Sequence, residues 1–114
     1  MTTTYTDEMM RERLSQAARY TLVMLRTTDS YGTDGTDKII WEHGRRNMGL
    51  QADGVMPIVC PVGDETGLAG IAIFVNDAET VRSIMDGDPA IQAGILSYTI
   101  HPCRGFPGSS LPAK

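Results

Sequence analysis

The sequence is short of the features that mark several functional classes. Aromatic residues make up 6% of its 114 residues, too few for the stacking platforms that bind single-stranded nucleic acid. Acidic residues outnumber basic ones by 14 to 10, so the formal net charge of −4 supplies no basic field for nucleic acid or anionic lipid. We therefore expect neither a nucleic acid nor a membrane as a partner.

Cysteines and long apolar runs are also scarce. Cys60 and Cys103 stand far apart without a C-x-x-C motif or a Cys/His cluster, which predicts reduced thiols and argues against a metal site. No apolar run reaches the roughly 18 residues that span a bilayer, and the opening segment MTTTYTDEMM is polar and acidic, unlike a signal peptide. The segments GTDG and GDETG lack the spacing of nucleotide-binding loops. The composition thus predicts a cytoplasmic protein without a cofactor.

What is present has the composition of one globular domain. Hydrophobic residues are 41% and charged residues 21% of the chain, near the averages for soluble domains. An apolar stripe at helical spacing in residues 6–18 predicts an amphipathic helix that packs on a preformed domain, with Trp41 expected to pack against it. We therefore divide the chain into an N-terminal helical extension, residues 1–18, and a domain of residues 19–114.

Hydrophobic periodicity orders the elements of this domain. Strands are predicted at residues 20–26, 55–60, 68–75 and 95–103. A long helix is predicted at residues 36–52. Two further helix starts follow, at Asn76 with Glu79 and at Asp88 with Pro89. The order β-α-β-β-α-β predicts an α+β domain of the ferredoxin-like type, an antiparallel sheet with both core helices on one face.

The other face of this predicted sheet would have no cover. The strands at residues 20–26 and 68–75 are apolar on both alternating faces, which is typical of strands covered on both sides. In a monomer the uncovered apolar patch would have the size that marks an interface. The pattern therefore predicts a homodimer through the sheet face.

The segment DPAIQAGILSYTIHPCRG, from Asp88 to Gly105, contains an Asp-Pro, an Ala-Gly a few residues later and a strand ending in His-Pro-x-x-Gly. In these features, and in the opening strand YTLVMLR and the helical segment from His43 to Gly54, the chain resembles the YCII-related (YciI-like) family over residues 20–111. The resemblance implies a dimeric α+β barrel of two stacked sheets. It also implies a His–Asp pair, here His43 and Asp88, as the active site. One relative is a dehydrochlorinase that acts on a chlorinated hydroxyquinol.

Apart from the resemblance, His43 and Asp88 each have two interpretations. His43 lies on the apolar stripe of the long helix. It is either a partly buried histidine bonded to backbone or to Asn47, or a general acid or base that faces a cleft. Asp88 before Pro89 is what a helix N-cap needs, and a capping carboxylate can also orient an imidazole. The sequence leaves these alternatives open.

Four further residues are candidates for binding a substrate: Arg46, Asn47, His101 and Arg104. The two arginines would supply charge for an anionic substrate. The structural alternative is that His101 packs at the end of the sheet and Arg104 is a solvated charge.

These residues predict a small-molecule cleft between the sheet and the helices. For an enzyme, they indicate cofactor-independent acid/base chemistry of the lyase, dehydrochlorinase-like or isomerase-like kind, with His43 as base and Asp88 as the orienting group. The alternatives are a non-catalytic ligand-binding or accessory module that uses the same cleft, and a purely structural dimer.

Overall fold

A computed structural model describes residues 2–114 of the chain as an α+β fold, with one four-stranded antiparallel sheet and four helices in this part. In chain order, the elements are α1 (Asp7–Ser15), β1 (Ala18–Thr27), α2 (Thr36–Ala52), β2 (Ile58–Pro61), β3 (Leu68–Phe74), α3 (Ala78–Asp86), α4 (Pro89–Gln92) and β4 (Leu96–Gly105). The predicted range of α2 is confirmed at both ends.

The strand order across the sheet is β2-β3-β1-β4. β1 lies in the interior and pairs antiparallel with both neighbours, Thr21 opposite Phe74 of β3 and Ala18 opposite Gly105 of β4. The two edge strands are therefore β2 and β4, which carry Cys60 and Cys103 respectively. Both cysteines are free thiols, because opposite edges of a sheet are too far apart for a disulfide.

One alternating set of side chains on the sheet forms the core. Val23 and Leu25 of β1 and Ala72 and Phe74 of β3 are buried. They pack with buried residues from the other parts of the chain, namely Met56, Val81, Met85, Ala90, Ile95 and Leu96. Because alternate residues of a strand point to opposite faces, the neighbours of these strand residues lie on the other face, where Leu22, Met24, Ile71 and Ile73 are only half-buried.

The predicted strand bounds differ from the observed ones by up to three residues, and for the starts of β2 and α3 the hydrogen bonds show why. β2 begins at Ile58 rather than residue 55, because the backbone N–H groups of Val55 and Met56 both bond to Leu50 O at the end of α2, and Pro57 has no N–H to give a ladder. The N-cap of α3 is Asp77 and not Asn76, since the carboxylate of Asp77 accepts a 2.9 Å bond from Thr80 N.

The N-terminal helix does not pack on the domain as predicted. No residue of α1 (Asp7–Ser15) is buried, and Met10 and Leu14 of its apolar stripe are exposed. Near its C-terminal end, the Arg13 guanidinium lies 4.6 Å from the centroid of the Phe106 ring. The prediction that Trp41 packs against this helix is also wrong, since Trp41 is 69% exposed.

Among the helices formed by residues 2–114, none is both long and apolar enough to cross a membrane.

Candidate active site

The middle of α2 and the start of α4 bring His43 and Asp88 together. His43 lies in the middle of α2, on the same side as Ile39 and Leu50, which pack against the core. Asp88 is the N-cap of α4, followed by Pro89 at the first helical position. Pro89 suits that position because its fixed φ is helical and it lacks an N–H that would need a partner. The start of α4 therefore holds the Asp88 carboxylate against α2.

The two side chains form a short, buried pair. His43 Nδ1 lies 2.7 Å from Asp88 Oδ2, and the side chains are 12% and 1% exposed, respectively. The other carboxylate oxygen, Oδ1, accepts a 2.8 Å bond from Ala90 N. One carboxylate thus caps α4 and contacts the imidazole at the same time, so the two interpretations of Asp88 are compatible.

The environment of Asp88 favours its ionised form. Burial alone would raise the pKa of Asp88, but the hydrogen bond and charge of His43, together with the backbone N–H groups of Ala90 and Ile91, hold this pKa below its ordinary value of 3.8. A buried carboxylate that stays charged at neutral pH accepts hydrogen bonds only. His43 Nδ1 must therefore carry the proton that is shared with Asp88.

The second ring nitrogen of His43 is directed to Asn47. Asn47 Nδ2 lies 3.2 Å from His43 Nε2, and both residues line the same cleft. With Nδ1 donating to Asp88, Nε2 is an acceptor for the Asn47 amide whenever the ring is neutral. An Nε2 with an available lone pair is the form of histidine that can remove a proton from a bound molecule.

Arg46 lies on the other side of this pair. Its Nη1 is 3.8 Å from Asp88 Oδ2, and within residues 2–114 this buried atom has no hydrogen-bond partner. The absence of a side chain at Gly87 leaves room for the guanidinium, since a Cβ there would stand 3.0 Å from Arg46 Nη2. The structure thus places Arg46 beside the carboxylate rather than among the residues that line the cleft.

The cleft beside His43 has a volume of about 380 Å³ and lies between α2 and the β2–β3 edge of the sheet. Its walls are mainly apolar, and its polar groups include His43, Asn47, Gln51 and Tyr31. Among the described residues, none of those lining it carries a formal charge when His43 is neutral. Apolar clefts with a few converging polar groups are the usual form of small-molecule sites.

Two glycines that sequence reasoning did not single out shape this cleft. Gly70 of β3 is buried at the cleft wall, where a Cβ would stand 3.1 Å from Cys60 O. Gly44 follows His43 in α2, and a Cβ there would meet nothing within 4 Å. A glycine inside a helix lowers the stability of the helix by about 1 kcal/mol relative to alanine. A glycine in the middle of the predicted helix is therefore the sequence signal that could have pointed to Gly44.

His101 and Arg104 are not brought to this site. Both are exposed on β4, which lies at the sheet edge opposite β2, and neither lines the cleft. His101 Nε2 instead makes a 2.8 Å contact with Thr99 Oγ1 on its own strand. Of the four predicted substrate-binding residues, the structure brings only Asn47 into the cleft beside His43.

No group of three or more His, Cys, Asp and Glu side chains in residues 2–114 is arranged to hold a metal ion. Comparison of the chain with protein-family models finds no match. Comparison with curated proteins likewise finds no match.

Proposed function

We propose that the protein is a cofactor-independent acid/base enzyme that acts on a small organic molecule in the His43 cleft. The observation that carries the proposal is the 2.7 Å contact between His43 Nδ1 and Asp88 Oδ2, which leaves Nε2 on the side of the cleft. In this arrangement Nε2 is the base and Asp88 stabilises the imidazolium that forms, as acidic partners of catalytic histidines do.

The chemistry of the cleft narrows the reaction class. When His43 is neutral, the wall of the cleft is uncharged and mostly apolar, and it favours a neutral molecule over an anion, because a buried charge needs a partner. His43 Nε2 would remove a proton from carbon next to a carbonyl. In an elimination the electron pair that remains expels a leaving group, such as chloride, from the neighbouring carbon, and in an isomerisation the imidazolium returns the proton to a different carbon. These are lyase, dehydrochlorinase-like and isomerase-like reactions. A group that approaches Nε2 replaces its 3.2 Å contact with Asn47, whose amide then becomes available to the bound molecule.

We further propose a ferredoxin-like domain that dimerises through its sheet face, as in the dimeric α+β barrel of the YCII-related family. The strand order β2-β3-β1-β4 with antiparallel neighbours supports the domain type. The half-buried apolar face around Leu22, Met24, Ile71 and Ile73 supports the dimer. The His43–Asp88 contact supports the family, whose presumed active-site pair would fall on these positions.

Hydrogen–deuterium exchange into small carbon acids tests the catalytic proposal without knowledge of the natural substrate. Cyclohexanone, cyclopentanone and butanone are incubated with the protein in D2O, and the loss of α-proton signals is followed by NMR. General-base catalysis by a positioned side chain contributes typically 10²–10⁴-fold, so we expect exchange at least 100-fold faster than in buffer for one of these ketones.

The chain offers a matched pair of histidine variants for this experiment, since it contains two histidines. His43→Gln should return exchange to the buffer rate. His101→Gln, which changes an exposed residue away from the cleft, should leave it unchanged. Binding of these ketones without exchange would instead support the alternative, a non-catalytic small-molecule-binding or accessory module. Equal exchange in the two variants would refute a role for His43.

A further inference from the structure

The His43 cleft does not end at the side of α2. A second, shallower cavity of about 510 Å³ runs along the outer face of the same helix, and the two cavities share Ile40, Gly44 and Met48 as lining residues. Gly44 has no side chain, and the space where its Cβ would stand is open to at least 4 Å. The helix surface at Gly44 is therefore a gap between the cleft and what we call the outer groove, lined by Asp37, Ile40, Trp41, Gly44, Arg45 and Met48.

Large apolar side chains stand exposed along this path. Tyr31 and Met48, which line the cleft, are 46% and 54% exposed, and Trp41 in the outer groove is 69% exposed. Single exposed apolar residues are common, but a continuous series that leads out of a cleft is typical of a ligand-binding surface. Charged groups, Asp37 and Arg45, occur only in the outer groove and not in the cleft, among the described lining residues.

We propose that the ligand of the His43 cleft is elongated, with a neutral polar head at His43 and Asn47 and an apolar chain that crosses Gly44 to lie on Trp41 and Met48. This inference rests on the proposed function, because the head occupies the same cleft. Because the two cavities are continuous over Gly44, one ligand that extends from the cleft into the outer groove is favoured over a second protein that binds to the outer groove. The cleft alone is near the lower end of the usual range for ligand sites, and the outer groove extends it.

Trp41 provides a direct readout, because it is the single tryptophan of the chain. The probes are cyclohexanol and 4-butylcyclohexanol, which are neutral, do not absorb where tryptophan is excited and differ by one butyl chain. Full burial of a methylene strengthens binding about 4-fold, and half-burial in an open groove about 2-fold. We therefore expect 4-butylcyclohexanol to bind about tenfold more tightly or better, and to shift Trp41 emission to shorter wavelength. Cyclohexanol should bind, as detected by saturation-transfer NMR, without that shift.

Two glycine variants in α2 distinguish the effect of filling the gap at Gly44 from the effect of replacing any glycine of this helix. Gly44→Leu fills the gap and should remove the difference in affinity between the two probes, so that 4-butylcyclohexanol binds no more tightly than cyclohexanol. Gly49→Leu changes an exposed glycine of the same helix that lines neither cavity, and its Cβ also meets nothing within 4 Å. This control should leave the affinities of both probes unchanged.

The outcomes distinguish this inference from the proposed function. Equal affinity of both probes with unchanged Trp41 emission would overturn the elongated ligand and leave the cleft proposal standing. Binding of neither probe would contradict both proposals. Trp41 emission that shifts with protein concentration and without a probe would show that a second copy covers the outer groove, which would also overturn the inference.

Discussion

Replacing Asp88 by alanine tests whether this carboxylate does more than cap α4. The buried carboxylate is 2.7 Å from His43 Nδ1 and 2.8 Å from Ala90 N. Loss of an N-cap costs about 1 kcal/mol, and loss of a hydrogen bond to a buried charged group costs about 2 kcal/mol more. We therefore expect Asp88→Ala to lower the free energy of unfolding by about 3 kcal/mol at neutral pH. Urea denaturation measures this change.

Asp77→Ala is the matched control. Asp77 caps α3 by accepting from Thr80 N at 2.9 Å, is exposed and contacts no histidine. Its replacement removes a cap alone, so the loss should be clearly smaller than that for Asp88→Ala. Equal losses in the two variants would show that the His43 contact contributes no stability and would refute the reasoning.

The effect of Asp88→Ala should also depend on pH. Because the pKa of folded Asp88 lies below the ordinary value of 3.8, the stability that its ionised form contributes is present above about pH 4. This stability is lost as the pH falls through the folded-state pKa. The difference between wild type and Asp88→Ala should therefore persist down to about pH 4 and shrink as the pH falls further, through the lowered pKa of Asp88. A difference that is constant over this range would mean that Asp88 is not a buried ion.

Two further predictions concern the sheet. Gly70→Ala places a Cβ 3.1 Å from the carbonyl oxygen of Cys60. We therefore expect it to lower the free energy of unfolding by about 1–2 kcal/mol, as measured by thermal unfolding. An unchanged stability would show that β2 can move away from the added methyl group. Met24→Lys puts a charge on the half-buried sheet face and should convert the proposed dimer to a monomer. Light scattering at micromolar concentration measures this change, and a monomeric wild-type protein would refute the dimer.

The sequence predicts this fold well where the apolar residues that recur at helix or strand spacing are also the residues that are buried. The bounds of α2 and the presence of four strands follow from such patterns. The prediction for α1 is wrong because periodicity shows which residues share a helix face but not whether anything covers that face. Met10 and Leu14 share a face and remain exposed. The prediction for Trp41 is wrong for the same reason, because its position on α2 does not show whether another element covers it.

The candidate site is predictable only in part. Successive residues of a helix are separated by about 100°, so Arg46 and Asn47, which are adjacent in sequence, diverge from His43 to opposite sides. Arg46 reaches Asp88, while Asn47 faces the cleft. The contact between His43 and Asp88 joins two distant parts of the chain, and local patterns hold no information on such a contact. The open path over Gly44 is defined by a missing side chain, which no search for functional groups would find.

In the proposed mechanism, Asp88 holds His43 with a proton on Nδ1, so that Nε2 faces the cleft as a base. Proton–nitrogen correlation NMR of the imidazole rings tests it most directly, with the His43 signals assigned by their loss in His43→Gln and those of the exposed His101 as an internal reference. When His43 is neutral, we expect Nδ1 to be protonated and Nε2 to be unprotonated. A neutral His43 that carries its proton on Nε2 would show that Asp88 does not hold the ring in this form, and it would contradict the proposed role of Nε2 as the base.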